Sequence, residues 1–117
     1  MKVKLEKIYR LAVDLGMKKD PRGPDGVKQA LADAKKDYES LTGQEKELFD
    51  TERLANPFAD TRILNGDPKT EVKSVITGVD VEAPELLLVD RLREKGEKID
   101  LAMAHHPEAG RWPPCRK

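Results

Sequence analysis

The order of elements in this chain predicts an α/β fold: a helical N-terminal arm followed by a small, incomplete β-α-β core. Three observations carry that expectation. The first fifty residues place apolar side chains at helical spacing between many charges. The run "VKSVITGVDV" (Val72 to Val81) is rich in β-branched residues, as a buried strand requires. After it come a proline-initiated helical segment and a second apolar run, "IDLAMA" (Ile99 to Ala104).

Taken in order, Leu5, Ile8, Tyr9, Ala12 and Leu15 fall on one face of a first helix, and Gly16 stands where that helix should stop. "DPRGPDG" (Asp20 to Gly26) reads as a turn-rich break, with Asp25 as the N-cap of a second helix. The apolar stripe of that helix is Val27, Ala30, Leu31, Ala34, Tyr38 and Leu41. Thr42 and Glu45 have capping-box spacing and open a short third helix through Leu48 and Phe49. Asn56-Pro57 breaks the arm, so the predicted division is an arm over 1–55, a core over 56–108 and a tail over 109–117. Within the core, "TRIL" (Thr61 to Leu64) is a short strand candidate that runs into the turn "NGDP". Pro84 suits the first turn of a helix whose Leu86, Leu87, Val89 and Leu92 pack inward, and Gly96 ends it. Two strands joined by such a helix should run parallel with a right-handed crossover. Lacking the rest of a sheet, they should leave apolar edges exposed and the chain poorly soluble.

The totals bound the partners. At 117 residues the chain holds one domain at most. Lys plus Arg number 22 and Asp plus Glu number 22, interleaved throughout, so no basic stripe favours nucleic acid. No window approaches the ~18 apolar residues of a membrane span. "MKVKLEKIYR" has no apolar region of the secretory kind. The single Cys115 cannot form an internal disulfide, which makes a reducing cytoplasm the expected setting. No P-loop, GxGxxG or serine-elbow motif is present.

The residues with chemical promise follow the second strand. In open α/β sheets ligands bind beyond the carboxyl ends of the strands. His105 and His106 stand there, and Asp80 stands near the end of the first strand. Two neutral imidazoles suit zinc, iron, nickel or manganese. Neighbouring strand residues point to opposite faces, so both can serve one site only where the chain leaves the sheet, or each can face one ion of a pair. Pro107 keeps His106 extended. Two histidines do not complete a coordination sphere. Asp80, Glu82, Glu85 and Glu108 could add carboxylates, although acidic residues at a helix start commonly complement the helix dipole. Two loop histidines without a metal are the simpler alternative, and Cys115 and Trp112 carry no assigned role.

"TRILNGD", "VKSVITGVDV" and above all "KIDLAMAHHPE" resemble the dinuclear-metal hexameric proteins named after a yeast Ngg-interacting factor, a family that includes GTP cyclohydrolase I type II homologues. The matching features are Gly66, Asp80, the helix from Pro84 to Lys95, and Ala104-His105-His106-Pro107, over about residues 56 to 108. The resemblance implies a pair of divalent metals, a toroidal homo-hexamer and a hydrolase-like or regulatory role in which metal-activated water attacks an electrophilic substrate. Of the metal ligands it implies, only His105 and His106 have positions here. The further Asp, His and Glu have none, and Glu108 replaces an apolar residue.

The tail "AGRWPPCRK" holds the only Trp and the only Cys. A single missing base near the Glu108 codon would explain it. In the restored frame the Trp112 and Cys115 codons become Leu, Met or Val, and Trp112-Pro113 becomes Ala. One codon choice reads Glu-Gly-Arg-Ala-Leu-Ala-Ala-Leu-Pro-Gln, a natural helix start after His-His-Pro. On that reading the chain is the inactive N-terminal part of a metalloprotein. The competing class is a non-enzymatic interaction module in which the arm binds a partner and the histidine pair is incidental.

Overall fold

A computed structural model describes residues 1–106; the expectations for Pro107, Glu108, Trp112, Cys115 and the rest of the tail lie outside the described residues. The protein is mixed α/β, with four α-helices, a 3-10 turn and two small sheets among the described residues. It divides into two units: Met1–Ile8 together with the chain from Ile63 onward, and Tyr9–Arg62.

The first unit contains a two-residue ribbon that the sequence did not reveal. Strand β1 (Val3–Lys4) pairs antiparallel with β2 (Glu71–Val72), Val3 opposite Val72. The Leu5 and Glu6 amides then donate to the carbonyls of Thr70 and Pro68, so the ribbon passes directly into helix α1 (Leu5–Lys19). Leu5 and Val72 are buried here. The "NGDP" turn forms as expected. Gly66 takes φ +101°, a left-handed angle that suits glycine, and Asp67 accepts from the Lys69 amide at 2.8 Å.

The expected strand from Val72 to Val81 is interrupted. Asp100 Oδ2 accepts the amides of Lys73 and Ser74 at 2.8 and 3.1 Å, and the Ser74 hydroxyl donates to the Lys98 carbonyl. With those amides turned to a side chain, the ladder breaks and a separate strand, β3, begins at Val75 (Val75–Asp80). Helix α4 (Ala83–Glu94) follows with Pro84 in its first turn, and Gly96 at φ +95° follows its C-cap residue Lys95. Strand β4 (Leu101–His106) then pairs with β3 in parallel, in the register Val75–Leu101 through Asp80–His106. The strand starts two residues later than "IDLAMA" suggested and includes both histidines.

Two expectations about burial are corrected. β3 is only half covered: Val75 and Val79 are 44% and 62% exposed. Leu86 and Leu87 do not pack inward but stand exposed with Leu88, while Val89 and Leu92 are half-buried. The expected exposed apolar surface is therefore present.

The second unit is helical. In its part of α1 the covered row is rotated from the stripe read in the sequence: Val13 is fully buried, with Tyr9 and Gly16 half-buried, whereas Ala12 and Leu15 are exposed. Gly16 does not end the helix. A Cβ there would lie 2.9 Å from Phe58 Cε2, so the glycine makes room for a ring. Helix α2 (Gly23–Ser40) begins before Asp25, which sits in its first turn rather than at its cap. Pro24 tolerates that early start because a first-turn residue needs no amide bond. Upstream, Asp20 binds the Arg22 amide at 2.9 Å and its guanidinium at 2.7 Å, which holds the Asp20 carboxyl at a pKa of about 2. Val27 and Ala34 are the buried members of the α2 stripe. Helix α3 (Gly43–Glu47) starts after Thr42 as expected, but without a side-chain cap bond. The Tyr38 and Phe49 rings lie 5.2 Å apart, and Arg53 stands over Phe49.

"TRIL" is not a strand. The Thr61 carbonyl accepts from Asn56 Nδ2 at 2.8 Å, and Arg62 binds Glu52 and Asp50, each at 3.1 Å. These bonds hold the segment as a loop against the 3-10 turn Thr51–Leu54. Asn56, 1% exposed, is the centre of the arrangement, donating also to Tyr9 Oη and accepting from the Phe58 amide.

Candidate metal centre

The parallel pairing of β3 and β4 brings candidate chemical groups together among the described residues. Asp80 closes β3 and His106 closes β4, and the register sets them directly opposite one another. Side chains at paired positions share a face of the sheet. The consequence is a contact between His106 Nδ1 and Asp80 Oδ1 at 3.0 Å.

His105 would by strand alternation face the other way. The two rings nevertheless approach each other, with centroids 4.8 Å apart and planes inclined by 37°. The approach occurs in the last two described strand residues. Both histidines and Asp80 are exposed.

The carboxylates that precede α4 do not join them. Glu85 accepts the Glu82 amide at 2.9 Å, which ties off the first turn of the helix. Those two acidic residues therefore serve the helix start, as acidic first-turn residues commonly do. Glu108 lies outside the described residues.

The donor chemistry can be set against what a divalent ion needs. Two imidazoles suit zinc and the neighbouring transition metals, and a carboxylate beside an imidazole is the usual outer partner of a ligating histidine. Three or four donors are needed for one ion, however, and among the described residues no group of three or more His, Cys, Asp or Glu is placed to hold one. The residues fit part of a metal site. No ring or carboxylate here is enclosed, so water reaches every donor.

Sequence reading found both histidines and placed Asp80 nearby. It missed that Asp80 pairs with His106 and not with His105. The strands as read in the sequence, ending at Val81 and Ala104, do not oppose these residues; the register of β3 on β4 does.

Among the described residues no helix is long and apolar enough to cross a membrane. No family model matches this chain, and neither the curated proteins nor the solved structures hold a match to it.

Proposed function

We propose that this chain contributes two imidazole ligands, from His105 and His106, to a divalent-metal centre of the dinuclear kind found in the Ngg-interacting-factor-like family. Two imidazoles leave the coordination sphere open to further donors. The observation that carries the reading is the convergence of both rings at the carboxyl end of a parallel strand pair, 4.8 Å apart. The resemblance of "KIDLAMAHHPE" supports it, together with the β-α-β order that surrounds the motif.

The role that goes with such a centre is hydrolase-like, carried out in the cytoplasm by a homo-oligomer, the family's hexamer. The ion itself would supply Lewis acidity and acidify water. This chain's own residues hold that ion at the strand ends. With two donors the chain alone binds zinc weakly and turns over nothing.

Calorimetric titration of zinc into the chain and into the H105A/H106A variant tests the proposal. Weak binding that disappears in the variant is expected. Equal binding by both proteins overturns it.

A second reading draws on a different observation. Leu86, Leu87, Leu88 and Val79 are all exposed, and exposed large apolar side chains suit an interaction module. On that reading the histidines are incidental. Unchanged metal content and unchanged partner binding in H105A/H106A would favour it.

A further inference from the structure

We infer that Asp80 is a positioning residue for His106: it holds the proton on Nδ1 and leaves Nε2 as the atom that takes the metal. The inference rests on the metal-binding reading above and adds an atom-level assignment to it.

A carboxylate accepts hydrogen bonds and has no proton to donate. Contact between His106 Nδ1 and Asp80 Oδ1 at 3.0 Å therefore puts the ring proton on Nδ1. The neutral ring has one lone pair left, on Nε2. Carboxylate contact at one ring nitrogen with metal at the other is how ligating histidines are usually oriented, and it raises the basicity of the ligating nitrogen. Asp80 does this from the backbone register, since β3 and β4 place it directly opposite His106. Gly78 and Ala104 form the preceding opposed pair on the same face, and their small side chains leave the dyad uncrowded. The assignment also separates the two histidines. His105 meets the His106 ring rather than the carboxylate, so its tautomer is not set by Asp80. Asp80, engaged with a ring, acts here as an orienting group and not as a direct ligand.

The test uses the full chain. Nitrogen-15 correlated spectra of the metal-free protein report each histidine's tautomer directly, with His105 as the internal control. His106 should carry its proton on Nδ1. Asp80→Ala should shift it toward the Nε2–H form that free imidazoles prefer, and Asp80→Asn, whose amide can donate to Nδ1 as well as accept from it, should lose the fixed Nδ1–H form too. Competition with a chromophoric zinc chelator should show zinc affinity falling about 10- to 100-fold in D80A. Circular dichroism confirms that each variant folds, which the exposure of Asp80 favours.

Nε2–H as the main form of His106 in the wild-type chain overturns the assignment. So does a D80A variant that binds zinc as well as wild type. If instead no variant or wild type binds zinc, the metal reading itself fails, while the metal-free spectra still decide whether Asp80 sets the tautomer.

Discussion

Replacing Asn56 by alanine should be among the most damaging single changes in the helical unit. The side chain is 1% exposed and makes three hydrogen bonds, to Tyr9 Oη at 2.9 Å, to the Thr61 carbonyl at 2.8 Å and from the Phe58 amide at 2.9 Å. Each such bond contributes about 1 kcal/mol net, so their joint loss removes ~3 kcal/mol. The alanine offers no substitute, and the Phe58 amide and the Thr61 carbonyl lose a partner inside a part-buried loop. Domains of this size are stable by roughly 5–15 kcal/mol, which makes the loss a large fraction of the whole. Urea unfolding followed by circular dichroism should show the midpoint falling by about 1.5–2 M at an unchanged slope. Asn56→Asp should be no milder, because it keeps the acceptor for Phe58 but sets an unpaired charge against the Thr61 carbonyl. A loss under about 1 kcal/mol for N56A would refute the claim that this residue joins the ends of the loop.

Further outcomes follow from the packing and the charges. Gly16→Ala should destabilise the wild-type chain, because the new Cβ meets Phe58 Cε2 at 2.9 Å, yet stabilise a Phe58→Ala background by up to ~1 kcal/mol through helix propensity; the same sign in both backgrounds in urea unfolding would contradict the packing account. Asp20 has a folded-state pKa of about 2 against an ordinary 3.8, so its contribution is present above pH ~4 and is lost as the pH falls toward 2. Asp20→Asn should flatten that part of an acid unfolding curve, and an unchanged curve would count against the Asp20–Arg22 contact. Asp100, held low by the Lys73 and Ser74 amides, should behave the same way in direction. Leu87→Glu should change stability by less than ~0.5 kcal/mol and raise the concentration at which the chain aggregates, as measured by light scattering; a large loss of stability would mean that this exposed leucine is packed after all.

The parts of the fold legible in the sequence were those encoded locally. Apolar spacing located α2, Pro84 and Gly96 bracketed α4, a β-branched run found β3 and an apolar run found β4, each within a few residues. What was not legible depended on partners distant in the chain. The β1–β2 ribbon joins Val3 to Val72, and two residues carry no periodic signal. Gly16 looked like a stop because glycine disfavours helix; only the Phe58 ring explains its place inside one. The break before β3 came from Asp100, a side chain 26 residues downstream of Ser74. "TRIL" has strand-like composition, but Asn56 and Arg62 draw it into polar contacts that no strand propensity anticipates. At the candidate site the histidines were plain from the sequence. The pairing of Asp80 with His106 needed the strand register.

The most direct test of the account is cobalt(II) absorption spectroscopy on the full chain, since d–d bands report both binding and the nitrogen donors. The account predicts weak, saturable binding with histidine-type bands that vanish in H105A/H106A and weaken in D80A. Bands that persist without both histidines, or tight stoichiometric binding by the chain alone, would contradict the assignment of His105 and His106 as two ligands of a larger metal centre.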